Sequence, residues 1–196
     1  MRILPANEAA RVFAVEALRR GELLIFPTET VYGIGADAQN AAAAERLTVA
    51  KGRPLGKPFQ WLVATPEIAR RGSSFWDPRA ERLARAFWPG PLTLVVPAGE
   101  RSVGWRVPRH TWLLELLHAW GGALMASSAN LTGLPPPKAC AEAVRGLGGS
   151  VSLAVDGGIL PPGEASTVVE FTPEGMRLLR SGAIPEESLR AVLDAG

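Results

Sequence analysis

The sequence predicts an α/β fold: one domain over residues 1–196, with a twisted mixed β-sheet flanked by helices. Short apolar runs alternate with amphipathic segments that begin at capping residues, which is typical of strands alternating with helices. The length suits one domain with a substantial core, and a hydrophobic fraction of 47% argues against intrinsic disorder. Two closely spaced strand patterns near the C-terminus predict a hairpin, so we expect a mixed sheet and not an all-parallel one.

In the first half of the chain, each predicted helix begins at a residue whose side chain can accept a hydrogen bond from first-turn amides. Asn7 is expected to cap a helix that runs to residue 20, and Asn40 one that runs to residue 51. Thr65 and Asp77 each precede a proline, which is favoured at the first helical position. The strands predicted in this half are 23–26, 59–63 and 92–96.

The second half continues the alternation of strands and helices. Thr111 is expected to cap a helix to residue 120, which two glycines then end. A short helix through residue 144 and a final helix over 185–194 are also predicted. The strands predicted in this half are 102–108, 123–126, 151–155, 167–171 and 176–179.

Composition narrows the class of protein. Cys140 is the sole cysteine, so an intramolecular disulfide is impossible, and its alanine-rich surroundings indicate a helix face and not a nucleophile. The two histidines form no Cys-x-x-Cys or His-Glu-x-x-His pattern, so no dedicated metal cage is predicted. A formal net charge of +2 does not indicate a dedicated nucleic-acid binder. Without a signal-peptide pattern or an apolar run of membrane-spanning length, we expect a cytoplasmic protein.

Polar side chains follow three of the predicted strands at the point where each strand ends. These residues are Thr28, Thr30 and Tyr32, then Ser127, Ser128 and Asn130, and finally Arg180 and Ser181. Lys51 and Arg53 follow the second helix and add two cations. Ligands of open α/β sheets bind beyond the carboxyl ends of strands. We therefore expect these groups to converge at one edge of the sheet as a concave site for a small anionic ligand.

The residue patterns alone leave the chemistry open. Threonine and glycine after a strand also form ordinary turns, and a Lys-Gly-Arg triplet also occurs at solvated helix ends. The sequence has neither the P-loop pattern nor Gly-x-Gly-x-x-Gly after a strand, and Ser127 and Ser128 have no neighbouring histidine base. Tyr32 could equally hold its loop by a hydrogen bond or contact a substrate.

Seven blocks of sequence, in order along nearly the whole chain, resemble the YrdC/TsaC family in its short, single-domain form. The first is Pro-Thr-Glu-Thr-Val-Tyr-Gly-Ile-Gly at 27–35, and the second is Lys-Gly-Arg-Pro at 51–54. The others lie at 88–93, 103–108, 127–133, 166–169 and 179–184. The resemblance implies the family fold, a twisted α/β sheet around a positively charged cavity.

This resemblance also implies an enzyme, an L-threonylcarbamoyladenylate synthase, which is a nucleotidyltransferase. Such an enzyme makes L-threonylcarbamoyl-adenylate from L-threonine, bicarbonate and ATP and releases pyrophosphate, with Mg²⁺ accompanying the ATP. The product serves threonylcarbamoyladenosine modification of tRNA, and short family members need partner proteins to transfer the group. One alternative is a non-catalytic double-stranded RNA- or tRNA-binding module of the same fold. Another is carbamoyl transfer, as in the YrdC-like portion of hydrogenase maturation proteins.

The resemblance implies three sets of site residues. The residues expected to contact L-threonine are Thr30, Arg106, Ser128 and Ser166. The residues expected to bind ATP are Arg53, Lys57, Ser102, Asn130, Lys138 and Arg180. The catalytic cations are expected to be Lys51 and Arg53, which would stabilise charge on the phosphates. Lys57 and Lys138 stand where relatives often carry other polar residues, and Leu62 replaces a polar residue that contacts threonine in some relatives.

Overall fold

The strands of the fold form one mixed sheet. The computed structural model of the protein describes residues 1–54 and 58–195. Within those residues the strands are β1 (Arg2–Pro5), β2 (Leu24–Phe26), β3 (Gly33–Asp37), β4 (Gln60–Leu62), β5 (Leu92–Ala98), β6 (Arg101–Arg106), β7 (Leu124–Ser128), β8 (Leu153–Asp156), β9 (Thr167–Thr172) and β10 (Gly175–Arg180). The α-helices in the same ranges are α1 (Glu8–Arg19), α2 (Ala41–Ala50), α3 (Pro66–Arg71), α4 (Pro78–Phe87), α5 (Thr111–Trp120), α6 (Cys140–Leu147) and α7 (Glu186–Asp194).

The strand order across the sheet is β1-β8-β2-β3-β7-β4-β6-β5-β9-β10. The pairs β1/β8, β2/β8, β4/β6 and β5/β9 are parallel. The other neighbours are antiparallel, including the C-terminal hairpin of β9 and β10. The predicted mixed α/β sheet is therefore confirmed. None of the described helices is both long enough and apolar enough to cross a membrane.

The predicted helix starts agree with the structure where a side chain caps the helix. Asn7 Oδ1 accepts from the Ala10 amide at 3.0 Å, and Asn40 Oδ1 accepts from the Ala43 amide at the same distance. Asp77 likewise accepts from the amide two residues later and begins α4. At α5 the prediction was wrong by one residue: His110, and not Thr111, is the N-cap, and it makes no side-chain capping bond.

Two strands were not predicted from the sequence. β1 is an edge strand whose residues are mostly exposed, so it shows no apolar alternation. β3 lies in the middle of the sheet but contains Gly33 and Gly35, which the sequence suggested belonged to a loop. A Cβ on Gly33 would lie 2.7 Å from Phe26 Cε2, and one on Gly35 would lie 2.6 Å from the Met125 carbonyl oxygen. These glycines therefore give neighbouring groups room inside a strand, which strand propensity does not indicate.

Different helices cover the two faces of the sheet. The paired residues Leu153, Leu24, Gly35, Ala126 and Gln60 form one row across β8, β2, β3, β7 and β4. At the β8–β2 end, this face packs against α1 and α5. The opposite face packs against α2 and α6 near β2 and β3, and against α3, α4 and α7 near β5 and β6. The first face continues over β4, β6, β5 and β9, where the candidate site lies.

Candidate functional site

A cavity of about 580 Å³ lies over the middle of the sheet. Its floor continues the residue row: Ala126, Gln60, Gly104, Val95 and Glu170 follow one another across β7, β4, β6, β5 and β9. Because successive side chains of a strand point to opposite faces, residues paired in one row all face the same side. The sheet register therefore builds the floor.

The cavity brings together most of the residues that the sequence indicated. Those that line it are Thr30, Lys51, Arg53, Ser102, Arg106, Ser128, Asn130, Ser166 and Arg180. The expectation that they meet at one edge of the sheet is wrong, because the cavity lies over a face. β2 and β7 are both antiparallel to β3, so their carboxyl ends lie at the same edge, whereas β10, which carries Arg180, runs the opposite way and ends at the other edge.

Among the predicted site residues that the structure describes, Lys138 does not line the cavity. Lys57 lies outside the residues that the structure describes. Lys138 donates from Nζ to the carbonyl oxygens of Thr30 and Gly163, and its partial burial lowers the pKa of its ammonium group. Lys138 thereby fixes the backbone of Thr30, which lines the cavity, and its contact with a nucleotide stays a prediction.

The turn at 28–31 holds Thr30 in the cavity wall. Thr28 Oγ1 accepts hydrogen bonds from the Thr30 and Val31 amides at 3.0 and 3.1 Å. The same hydroxyl donates to the Val31 carbonyl at 2.7 Å. A short polar side chain that bonds to the next backbone groups stabilises a turn without a regular element. Thr28 is buried and holds the turn, whereas Thr30 presents its hydroxyl to Arg106 Nη2 at 3.3 Å.

Arg106 is a buried cation whose position is defined by its neighbours. It ends β6 with 2% of its surface exposed. Its Nε donates to the Gly90 carbonyl at 3.1 Å, and its Nη2 lies 2.8 Å from Glu29 Oε1. Burial disfavours the charge on Glu29, but Arg106 and neighbouring hydrogen bonds more than offset this, so the pKa of Glu29 lies below its ordinary value. The guanidinium is thus held rigidly at the cavity wall.

Lys51 connects the end of α2 to the segment after β7. Its Nζ donates to the carbonyl oxygens of Ser128 and Asn130, and its own carbonyl accepts from the amide and the hydroxyl of Thr132. Only 2% of Lys51 is exposed, although it lines the cavity. Its charge acts within a low-dielectric wall, and its side chain also positions two cavity residues.

Arg53 and Arg180 are the more accessible cations of the cavity. The Arg53 guanidinium carbon lies 4.5 Å from the centre of the Phe59 ring, and Nη1 lies 3.4 Å from Ser127 Oγ. Burial, followed by repulsion from Arg180, lowers the pKa of Arg53. Burial and repulsion from Arg106 likewise lower the pKa of Arg180. Cations that repel one another in this way favour an anionic ligand between them.

Asn130 lies beside Lys51 with one polar atom still available. Its Nδ2 donates to the carbonyls of Leu131 and Leu134 at 2.8 and 2.7 Å. Its Oδ1 is buried and accepts no hydrogen bond from any residue in 1–54 or 58–195. A buried acceptor of this kind suits a ligand that carries an N–H group.

Gln60 and Thr93 are cavity residues to which the motifs assigned no role, although Thr93 ends the block at 88–93. Thr93 Oγ1 donates to Gln60 Oε1 at 3.0 Å and is 2.9 Å from Ser166 Oγ. Arg180 Nη2 donates to Ser166 Oγ at 2.9 Å, and its guanidinium also binds the Ser166 carbonyl. The sequence contained one indication that Gln60 has a role, because its amide is the single polar side chain in the apolar run that forms β4. Leu62, two residues later, is buried in the core against α5 and does not line the cavity.

Tyr32 and Cys140 are not part of the cavity lining. The Tyr32 hydroxyl donates to the Gly158 carbonyl at 2.7 Å and accepts from the Gly157 amide at 3.0 Å. Burial raises the pKa of Tyr32 to about 12, and Tyr32 therefore holds the 157–158 loop as a neutral phenol. Cys140 is buried in α6, and burial raises the pKa of its thiol to about 11, which disfavours a nucleophilic thiolate.

The chain is similar in sequence and structure to proteins of known family. The family model for Sua5, YciO and YrdC proteins, described as telomere recombination, matches residues 16–182. The threonylcarbamoyl-AMP synthase of Pyrococcus abyssi is 37% identical over 186 residues, which cover 90% of this chain and 55% of the relative. That of Bacillus subtilis is 35% identical over 201 residues, covering 97% of this chain and 58% of the relative.

A solved structure of a similar protein extends the comparison to the fold. The crystal structure of P. abyssi Sua5 complexed with L-threonine superposes with a TM-score of 0.93 at 35% identity. The match covers 98% of this chain and 61% of that chain. The present chain therefore spans less than two thirds of the length of these relatives.

Proposed function

The chain belongs to the Sua5/YciO/YrdC family, and from this premise we propose that it synthesises L-threonylcarbamoyl-adenylate. Its substrates in this proposal are L-threonine, bicarbonate and ATP, and its second product is pyrophosphate. The product would supply threonylcarbamoyladenosine modification of tRNA. Partner proteins would transfer the group to the tRNA.

One observation carries the proposal: residues from distant segments line a single cavity with both hydroxyls and cations. At one end, Thr30, Arg106 and Ser166 combine a guanidinium with two hydroxyls, which suits the carboxylate and hydroxyl of threonine. The relative from P. abyssi has been determined in complex with L-threonine, which supports an amino-acid ligand for this chain as well. Arg53 and Lys51 supply the positive charge that a triphosphate requires.

The proposed reaction has two steps. In the first, the neutral amine of threonine attacks the carbon of bicarbonate and forms a C–N bond. The hydroxyl of bicarbonate leaves with one amine proton as water, and a carbamate remains. In the second, a carbamate oxygen attacks the α-phosphorus of ATP while the bond from that phosphorus to the bridging oxygen breaks. Pyrophosphate leaves with the electron pair of that bond, and no protein nucleophile is required.

The protein contributes position and charge to these steps. Holding two substrates in a reactive geometry can lower the barrier by roughly 7–11 kcal/mol. Lys51, Arg53 and Arg180 would stabilise the charge that develops on the phosphates, and Mg²⁺ would arrive with ATP as its magnesium complex. Arg106 is already held by Glu29 and Gly90, so little reorganisation is needed when a carboxylate binds.

The proposal is tested by incubating the purified protein with ATP, Mg²⁺ and bicarbonate and with each amino acid in turn. Pyrophosphate release is the readout. We expect release that depends on L-threonine and on bicarbonate, with a product whose mass is that of threonylcarbamoyl-adenylate. Release that is independent of the amino acid, or no release with L-threonine, would contradict the proposal. L-Valine, which replaces the hydroxyl with a methyl group, is the matched control substrate.

A further inference from the structure

Gln60 is the one long neutral polar side chain on the cavity floor. In its row it pairs with Ala126 on β7 and with Gly104 on β6, and all three line the cavity. The two residues paired with Gln60 are therefore small and apolar, and among the described residues its side-chain amide bonds to one other side chain, the Thr93 hydroxyl at 3.0 Å. In ligand cavities, the few polar groups on an otherwise apolar lining orient the ligand.

A chain of hydrogen bonds fixes the orientation of the Gln60 amide. The Arg180 guanidinium can only donate, and it donates to Ser166 Oγ. The Ser166 hydroxyl can then donate a hydrogen bond to Thr93 Oγ1, and the Thr93 hydroxyl donates to Gln60 Oε1. This direction of donation assigns the oxygen of the Gln60 amide to Thr93. Nε2, with two N–H donors, makes no hydrogen bond to residues 1–54 or 58–195 and is available to a ligand.

The hydrogen bond between Thr93 and Gln60 depends on a glycine at position 104. Strand β6 lies between β4 and β5, so the bond from Thr93 to Gln60 passes over Gly104. A Cβ at this position would lie 3.0 Å from Thr93 Cγ2 and 4.0 Å from Gln60 Cβ. A larger side chain would therefore occupy the space through which the two residues interact. The pairing of this glycine with Gln60 makes the polar contact across three strands possible.

Position along β6 indicates which part of the ligand Gln60 meets. Ser102, Gly104 and Arg106 alternate on the cavity face of β6, and Gln60 pairs with the middle one. At about 3.3 Å per residue, the neighbouring positions are each about 7 Å away along the strand. In the proposed function, Arg106 contacts the amino acid and Ser102 the nucleotide. Gln60 thus stands between the amino-acid end and the nucleotide end.

We propose that Gln60 binds the one-carbon substrate: its Nε2 donates a hydrogen bond to bicarbonate and then to the carbamate oxygen. This inference rests on the proposed function, because only there does a one-carbon group join the two ends of the site. A neutral donor suits this position, since it stabilises an oxyanion without a charge that would hold the oxygen too tightly to react. The hydrogen bond that Oε1 accepts from Thr93 polarises the amide and strengthens its N–H donors.

The test measures half-saturating concentrations of bicarbonate, L-threonine and ATP by pyrophosphate release in buffers freed of carbon dioxide. Gln60→Met keeps the length of the side chain and removes both polar atoms. We expect it to raise half-saturating bicarbonate about tenfold, the effect of one lost hydrogen bond, while the L-threonine and ATP values stay within about twofold. Gln60→Glu keeps the acceptor for Thr93 but replaces the donor with a charged oxygen, so a larger rise is expected.

Two further variants make the outcome decisive. Thr93→Val leaves Gln60 in place but removes the bond that orients it, so we expect a rise of about threefold in half-saturating bicarbonate alone. Gln39→Met changes the chain's other glutamine, which is exposed and outside this cavity, and is expected to leave all three values unchanged. Thr93→Val decides the question if Gln60→Met does not fold, and Gln39→Met remains its control.

Unchanged half-saturating bicarbonate in the Gln60 and Thr93 variants overturns the inference while the proposed function stands. An equal rise for all three substrates also overturns it, because that result indicates a structural role. Absence of turnover by the unsubstituted protein overturns the proposed function and this inference together. The two failures are therefore distinguishable.

Discussion

At the scale of single residues, the cavity is built from side chains that do two tasks. Lys51 brings a buried charge and also holds the carbonyls of Ser128 and Asn130. Arg106 faces the cavity while Glu29 and Gly90 hold it in place. Arg53 is different, because it is only partly buried and stacks on Phe59 at the cavity wall. Its removal therefore tests charge with little effect on packing.

We expect Arg53→Ala to lower threonine-dependent pyrophosphate release by at least about 100-fold, since one positioned donor for developing charge is lost. The fold should remain intact because the Arg53 side chain is not part of a hydrophobic core cluster. Steady-state release at saturating substrates measures the first effect, and far-ultraviolet circular dichroism checks the second.

The matched control for this prediction is Arg145→Ala, which removes an exposed arginine of α6 outside the cavity. It should retain the turnover of the unsubstituted protein. Turnover near the original level in Arg53→Ala would show that this guanidinium has no catalytic part.

At the scale of secondary-structure elements, α3 and α4 are joined by one carboxylate. Glu81 of α4 accepts from Arg70 Nε and Nη2 at 2.8 Å each, and from Arg85 and Trp76 at 2.8 and 2.9 Å. Together these partners lower the pKa of Glu81 to about 2, and the hydrogen bond to Arg70 makes the largest contribution to this shift. These helices pack against β5 and β6 on the face opposite the cavity.

The depressed pKa of Glu81 predicts a pH-dependent contribution to stability. Its folded value of about 2 lies below the ordinary value of 4.5, so the unfolded chain takes up this proton first as the pH falls. The contribution is complete above about pH 4.5 and disappears toward pH 2. We expect Glu81→Gln to lower the free energy of unfolding by roughly 2–3 kcal/mol at pH 7.

Urea unfolding of both proteins at pH 7 and near pH 3 measures this difference. The gap between them should narrow at the lower pH, because the carboxylate is then being protonated in the unfolded chain. Glu45→Gln, at an exposed position of α2, is the control and should show no such gap. A gap that is the same at both pH values would mean that Glu81 acts through packing and not through its charge.

At the scale of the whole molecule, the cavity combines parts that are distant in the chain. Its walls come from the 28–31 turn, the end of α2, the segment after β7, and the ends of β9 and β10. Its floor depends on five strands being in register. Unfolding of any of these parts would dismantle the site, so ligand binding should stabilise the whole fold.

We expect L-threonine with MgATP to raise the midpoint of thermal unfolding. At about 100 times the dissociation constant, binding contributes about 2.7 kcal/mol, or about 5–10 °C for a chain of this size. Differential scanning calorimetry checks the shift, and D-threonine serves as the matched control ligand. Arg180→Ala should abolish most of the shift. The substitution removes the hydrogen bonds that hold Ser166, and it also removes one positive charge from the cavity.

The sequence by itself determined those features that depend on residues close together in the chain, such as the starts of helices. Asn7, Asn40 and Asp77 begin their helices as predicted because a cap bonds to amides only two or three residues later. The motifs and the family resemblance also indicated nine of the residues that line the cavity, some of them hydroxyls and cations that follow apolar runs. The class of fold followed from the same alternation of strands and helices.

Only the tertiary structure decided how these parts meet. Strand order and register depend on contacts between residues far apart in sequence, so the sequence could not show that the cavity lies over a face of the sheet. For the same reason, β3 could not be predicted. Its glycines are required because Phe26 and the Met125 carbonyl leave no room for a Cβ, and these contacts form only in the folded protein. Nor could the role of Gln60 be predicted, because its neighbours in the cavity, Gly104 and Thr93, are more than 30 residues away in the sequence.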